Sequence, residues 1–318
     1  HLGLLACGVK EGDEVIVPAF TWVSTANAVK YCGATPIFVD IDIATFNIAI
    51  EKIAEKVTDK TTAIVPVHLF GLCADIDAIR TRFPQLRIIE DGACAAGSAL
   101  HGRPAGSLGD VGCFSFHPRK SVTTGEGGML TTNDDEIALK LDRLRNHGAS
   151  ISEEQRHHGP KPYILSAFEM VGYNYRMTDI QGAIGVVQLA KLDQFIDERE
   201  QWAQYYREQL KDIPWLKTPE VPNGYKHGWQ SYVTYIDESK APMKRNDIME
   251  YLQQRGISTR PGTHAVHMLE VYATMYNIQP NDFPGAFNAD QYSMSIPMHN
   301  RMSPEDFEYI VNTLKCIQ

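Results

Sequence analysis

A lysine set between an apolar strand and a run of glycines can do carbonyl chemistry. In Ser115-Phe116-His117-Pro118-Arg119-Lys120-Ser121-Val122-Thr123-Thr124-Gly125-Glu126-Gly127-Gly128 the lysine stands on a turn just past a strand end. Desolvation and a nearby cation such as Arg119 favour the neutral amine, the form that adds to a carbonyl to make an imine. The glycines leave room for a bulky planar group. A solvated Lys-Arg pair on a surface turn suits the same residues. Asp91 ends another apolar run, Ile89-Glu90-Asp91-Gly92-Ala93-Cys94. Carboxylates are seldom buried without a partner, and a protonated aromatic ring nitrogen is one such partner; capping of a following helix is the competing role. Trp22 also follows a strand, where its indole can stack on a planar ligand or fill a core. Ser115 and the glycine turn offer hydroxyl and amide donors to a phosphate, or Ser115 is a small strand residue bonded to its neighbours.

These residues need a scaffold that brings strand ends together. Short β-branched runs alternate with helical stretches through the first two-thirds of the chain: Glu14 to Pro18, Thr35 to Val39, Thr62 to Val67, Arg87 to Glu90, Val111 to Phe116 and Gly128 to Thr132 read as strands. Strands apolar on both faces and separated by helices imply an α/β fold with a mostly parallel sheet covered on both sides, in which ligands gather at the carboxyl ends of the strands. A helix is predicted from about Thr178 to Leu210, with Ile180, Ala183, Ile184, Val187 and Leu192 on a buried face. Pro214, Pro219, Pro222 and Gly224 then break the pattern. This divides the chain into a large domain, 1–213, and a smaller C-terminal α+β domain, 214–318. In the latter the expected elements are strand Ser231 to Ile236, helix Asn246 to Arg255, strands Ile257 to Arg260 and Ser293 to Pro297, and a last helix capped by Ser303 with Pro304 at its first position. The polar segment from about Ser150 to Phe168, with its His157-His158 pair, is long for a connection in a compact domain and therefore a functional candidate.

Composition narrows the function classes. The 318 residues carry a formal net charge of -9, which argues against a nucleic-acid surface. No run of about 18 apolar residues suggests a membrane span. The six cysteines lack C-x-x-C spacing, so reduced thiols in a cytoplasmic protein are expected, with no structural zinc. No G-x-G-x-x-G turn follows an early strand, which disfavours a dinucleotide-binding dehydrogenase. His1-Leu2-Gly3-Leu4-Leu5-Ala6 reads as the middle of an apolar helix without a cap, as though the sequence began inside a longer protein.

Taken together, the sequence resembles the DegT/StrS aminotransferases, a fold-type I pyridoxal-phosphate family acting mainly on nucleotide-linked keto-sugars. The stretches that carry the resemblance run in order along nearly the whole chain: Gly12 to Pro18, Thr21 to Asn27, Gly33 to Pro36, Val39-Asp40, Val67 to Gly71, Glu90-Asp91, Gly106 to Asp110, Phe114 to Phe116 with Lys120, Gly125 to Gly128, Arg145 to Gly148, and Gly172 to Gln181. The resemblance implies that Lys120 holds pyridoxal 5'-phosphate as a Schiff base and moves the proton. It implies that Asp91 pairs with the ring nitrogen, Trp22 stacks on the ring and Ser115 binds the phosphate. Asn174 would reach the phosphate of a neighbouring subunit's cofactor, implying a homodimer with shared active sites. His267, with His264 and Arg260 nearby, matches a small-domain substrate region. The partners implied are an amino-acid donor, usually glutamate, and a keto-sugar acceptor in polysaccharide or antibiotic sugar biosynthesis.

The sequence departs from the family pattern in three places. The family's phosphate loop precedes the helix with which this sequence opens. Cys94 occupies the cofactor-contacting position where a glutamine is usual. The 150–168 segment is longer than in many relatives and is expected to cover the active site and help select substrate. A transaminase of cyclitols or other non-nucleotide ketones, and a non-catalytic regulator on the same fold, are the alternatives. A sugar dehydratase is disfavoured, because such relatives carry histidine in place of the lysine.

Overall fold

The computed structural model describes residues 1–151, 163 and 165–317. In chain order the strands are β1 (Glu14–Pro18), β2 (Phe20–Thr21), β3 (Thr35–Val39), β4 (Thr61–Ile64), β5 (Arg87–Asp91), β6 (Ala99–Leu100), β7 (Arg103–Pro104), β8 (Val111–Ser115), β9 (Gly128–Thr131), β10 (Leu216–Lys217), β11 (Tyr225–Lys226), β12 (Tyr232–Ile236), β13 (His264–Ala265) and β14 (Ser293–Ile296). A six-stranded sheet in the order β3-β1-β4-β5-β8-β9 is parallel except for β9 at one edge. Along β1, Val15 and Val17 enter one apolar core while Ile16 enters another, and all three are fully buried. Alternate side chains of one strand therefore fill both layers, which is why these strands read as unbroken apolar runs. Each such residue contributes about 1.5–3 kcal/mol by leaving water.

The C-terminal part builds its own antiparallel sheet, β10-β12-β14. Its core joins Trp229, Tyr232, Ile248, Phe307 and Leu314 to Ala203, Tyr206 and Leu210, which precede the proline-rich stretch. The last helix spans Pro304–Lys315, with Ser303 as its cap in a reciprocal box with Asp306. The strand expected at Ile257 to Arg260 is absent: that stretch forms no ladder, only a single bridge from Arg260 to Ser295. Pro261 follows and has no N–H to carry a ladder onward.

The helix predicted from Thr178 to Leu210 is two helices, Asp179–Leu189 and Leu192–Leu210. The first buries none of its residues. Ile180 is 77% exposed and Val187 58%. The expected buried face is thus uncovered in the isolated chain: apolar spacing reports a sticky stripe, and not what covers it. Residues 152–162 and 164, which hold the His157-His158 pair and most of the segment expected to cover the active site, lie outside the described residues.

Candidate active site

The site is built where two neighbouring parallel strands end. Asp91 closes β5 and pairs in register with Cys113 of β8. Two residues further on, Ser115 closes β8. A turn then brings Lys120 round, its amide donating to the His117 carbonyl at 2.9 Å. The glycine run folds back on the strand end, Phe116 N donating to Gly127 O at 2.9 Å and Thr124 N to Phe116 O at 3.0 Å. Lys120 is half-buried. Its Nζ donates to Cys94 Sγ at 3.2 Å, three residues along the chain from Asp91. Burial pushes the Cys94 thiol up, against the pull of Lys120, so Cys94 stays an S–H at neutral pH.

The Asp91 carboxylate is held by neutral groups. Thr25 Oγ1 donates to its Oδ2 at 2.7 Å, and Ala93 N to its Oδ1 at 3.2 Å. Thr25 in turn shares a 3.2 Å hydrogen bond with Thr21. Among the described residues no cation pairs with Asp91. The residues after it form turns and not a helix, so the capping role is limited to the Ala93 amide.

Behind Asp91 lies a fully buried hydrogen-bonded pair, His68 and Glu90. Glu90 accepts from His68 Nε2 at 2.8 Å and from the amides of Gly106, Leu108 and Gly109 at 2.7, 2.8 and 2.5 Å. His68 Nδ1 accepts from Ala74 N at 3.0 Å, which assigns the proton to Nε2. Burial works to raise the Glu90 pKa, but the His68 and glycine-amide donors outweigh it and hold the carboxyl below its ordinary range. The loop it gathers needs glycine: Gly106 has φ +85°, and a Cβ there would meet the Phe114 ring at 2.4 Å.

Trp22 projects beside this edge and is 59% exposed. Its ring lies 5.5 Å from that of His264, tilted by 44°, because β2 and β13 pair Thr21 with His264. Among the described residues Ser115 Oγ accepts only a long 3.4 Å contact from His117 N. Arg119 is exposed, as is Arg260. Asn174 is exposed on a backbone bridge to Asn146, and no hydrogen bond among the described residues joins it to Asp91 or Lys120. His267 lies on the short turn that follows β13. It is fully buried, its Nε2 at 3.1 Å from the Pro280 carbonyl, because the short helical turn that carries it packs into the core; His264 is the histidine that faces out. Sequence reasoning gave no role to Thr25, His68, Glu90 or Arg199. Thr25, four residues after Thr21 at the start of a helix, is the nearest to a visible signal.

These residues fit a flat cofactor with a cationic ring nitrogen and an aldehyde. A carboxylate lacking a cation, an amine and an exposed indole converge on one edge. Fold and site together define a pyridoxal-phosphate aminotransferase. Among solved structures, a putative sugar aminotransferase of Streptococcus pneumoniae in its PMP form superposes with a TM-score of 0.90 at 27% identity, over 99% of this chain and 84% of that one. A GDP-perosamine synthase of Caulobacter vibrioides is 38% identical over 99% of this chain and 81% of its own length. The spore coat polysaccharide biosynthesis protein SpsC of Bacillus subtilis is 37% identical over 99% and 82%. The chain belongs to the DegT/DnrJ/EryC1/StrS aminotransferase family, which residues 1–315 match. It is a sugar aminotransferase that depends on pyridoxal phosphate.

Proposed function

We propose that this aminotransferase takes its amino group from glutamate and delivers it to the keto carbon of a nucleotide-linked sugar. The observation that carries the reading is the placing of Lys120 against Cys94 at the strand ends where Asp91 waits without a cation. The relative named for GDP-perosamine supports a nucleotide-linked acceptor. The cofactor, when bound, supplies an electron sink for the substrate carbon that loses its proton. Lys120 would hold it and take up the proton that the substrate carbon gives up. Asp91 faces the ring nitrogen, and Thr25 and Ala93 N hold Asp91 and aim it. Trp22 backs the ring, Cys94 offers its S–H beside Lys120, and Ser115 takes the phosphate. His264 and Arg260 line the acceptor side.

A second copy of the chain completes the site in this reading. It covers the apolar stripe of the helix Asp179–Leu189 and brings Asn174 to the neighbouring cofactor. In this reading the large domain (1–213) supplies Lys120 and Asp91, and the small domain (214–318) supplies His264 and Arg260. The deciding experiment offers glutamate to the yellow holoenzyme and then a panel of nucleotide-linked keto-sugars. Glutamate should bleach the colour and one acceptor should restore it; colour restored by free cyclitol ketones and by no nucleotide sugar would reverse the acceptor assignment. Lys120→Ala should lose both colour and turnover.

A further inference from the structure

The turn that presents Lys120 is held from behind by a residue that no motif marks. Arg199, on the helix Leu192–Leu210, is buried. Its Nη1 donates to Ser121 Oγ at 3.0 Å and to the Trp229 carbonyl at 3.0 Å, and its Nε donates to Asn300 Oδ1 at 2.8 Å. Asn300 in turn donates to the Phe195 carbonyl at 3.0 Å and to Glu198 Oε2 at 2.7 Å. All three acceptors of Arg199 are neutral oxygens. They come from three separate stretches: the residue after Lys120, the segment before β12, and the segment before the last helix. A buried guanidinium that finds only neutral acceptors among the described residues is costly to keep. Its planar fork, unlike a lysine ammonium, satisfies several fixed acceptors at once.

We propose that Arg199 is a positioning residue for Lys120, acting through Ser121 to fix the turn from which the amine works and tying that turn to the C-terminal part of the chain. The inference rests on Lys120 being the reacting lysine. A lysine side chain is flexible, so its amine is placed only if both ends are held. Cys94 holds the tip and Ser121, through Arg199, holds the root. Misplacing a reacting group by about an ångström can cost about a hundredfold in rate. A purely structural Arg199 would change stability and leave the capture of cofactor by Lys120 untouched.

The test starts with the wild-type holoenzyme, reduced with borohydride and mapped by mass spectrometry. Cofactor must be found on Lys120; its absence there would overturn the assignment of the lysine itself. Cofactor-free Ser121→Ala, Arg199→Lys and the double variant are then mixed with pyridoxal phosphate, and the rate of colour formation is followed. Ser121→Ala deletes the contact to the turn while leaving Arg199 its other two acceptors. Loss of one hydrogen bond to a charged group should slow capture about tenfold, lower kcat for glutamate similarly and leave KM within about twofold. The double variant should be no slower than the worse single variant. Capture by Ser121→Ala within about twofold of wild type, with Lys120 still labelled, would refute the proposal. So would fully multiplicative effects of the two substitutions. Should Arg199→Lys not fold, Ser121→Ala decides alone.

Discussion

At the scale of single residues, chemistry depends on what is withheld as much as on what is supplied. Asp91 is given two neutral donors and no cation among the described residues, which reserves its charge for a ligand. Thr25→Val should therefore weaken the hold on Asp91 and lower kcat about tenfold, while Asp91→Asn should cost about ten- to a hundredfold, as expected for loss of charge-assisted hydrogen bonds. Single-turnover kinetics with glutamate check both, and a Thr25→Val rate equal to wild type would remove that threonine from the site. Lys120 and Asp91 were candidates in the sequence because each follows an apolar run, where parallel sheets collect their ligands, and the family resemblance raised both above their competing roles. Thr25 was not, since its partner lies 66 residues away and pairing across that distance leaves no local mark. His267, two residues past β13, is carried inward by one turn of chain.

At the scale of elements, the His68–Glu90 pair fixes the β5 end to the loop before β8. Glu90→Gln puts an amide N–H₂ opposite backbone N–H groups and should destabilise the fold by about 1–3 kcal/mol at neutral pH. The folded-state pKa of Glu90 is depressed, so its contribution is present above the ordinary carboxylate range and fades as pH falls through the folded value. Wild-type and variant melting curves should accordingly converge in acid; a gap that stays constant from neutral pH to about pH 3 would count against this account. Gly106→Ala forces a Cβ onto the Phe114 ring at positive φ and should lower stability by about 1–3 kcal/mol, read from denaturant midpoints. Strands were legible because both faces of the sheet are apolar. The missing ladder at Ile257 was not anticipated, although Pro261, which lacks the donor, stands beside it in the sequence, and neither was the split of the long helix.

At the scale of the whole molecule, the helix Asp179–Leu189 is apolar and uncovered. With a second copy seated on it, Val187→Lys should shift sedimentation toward monomer and weaken cofactor retention, while Leu139→Lys, at another exposed apolar residue (52% exposed), should leave the sedimentation unchanged. Equal sedimentation of Val187→Lys and wild type would place the partner elsewhere. Sequence periodicity foresaw the stripe but assigned it to the interior of one chain.

The same uncovered stripe bears on how the protein reaches its working state. A chain whose apolar helix finds shelter only by encounter finishes refolding in a bimolecular step. Reactivation after dilution from denaturant should then speed up with protein concentration until aggregation competes, which sets an optimum concentration for recovering the protein.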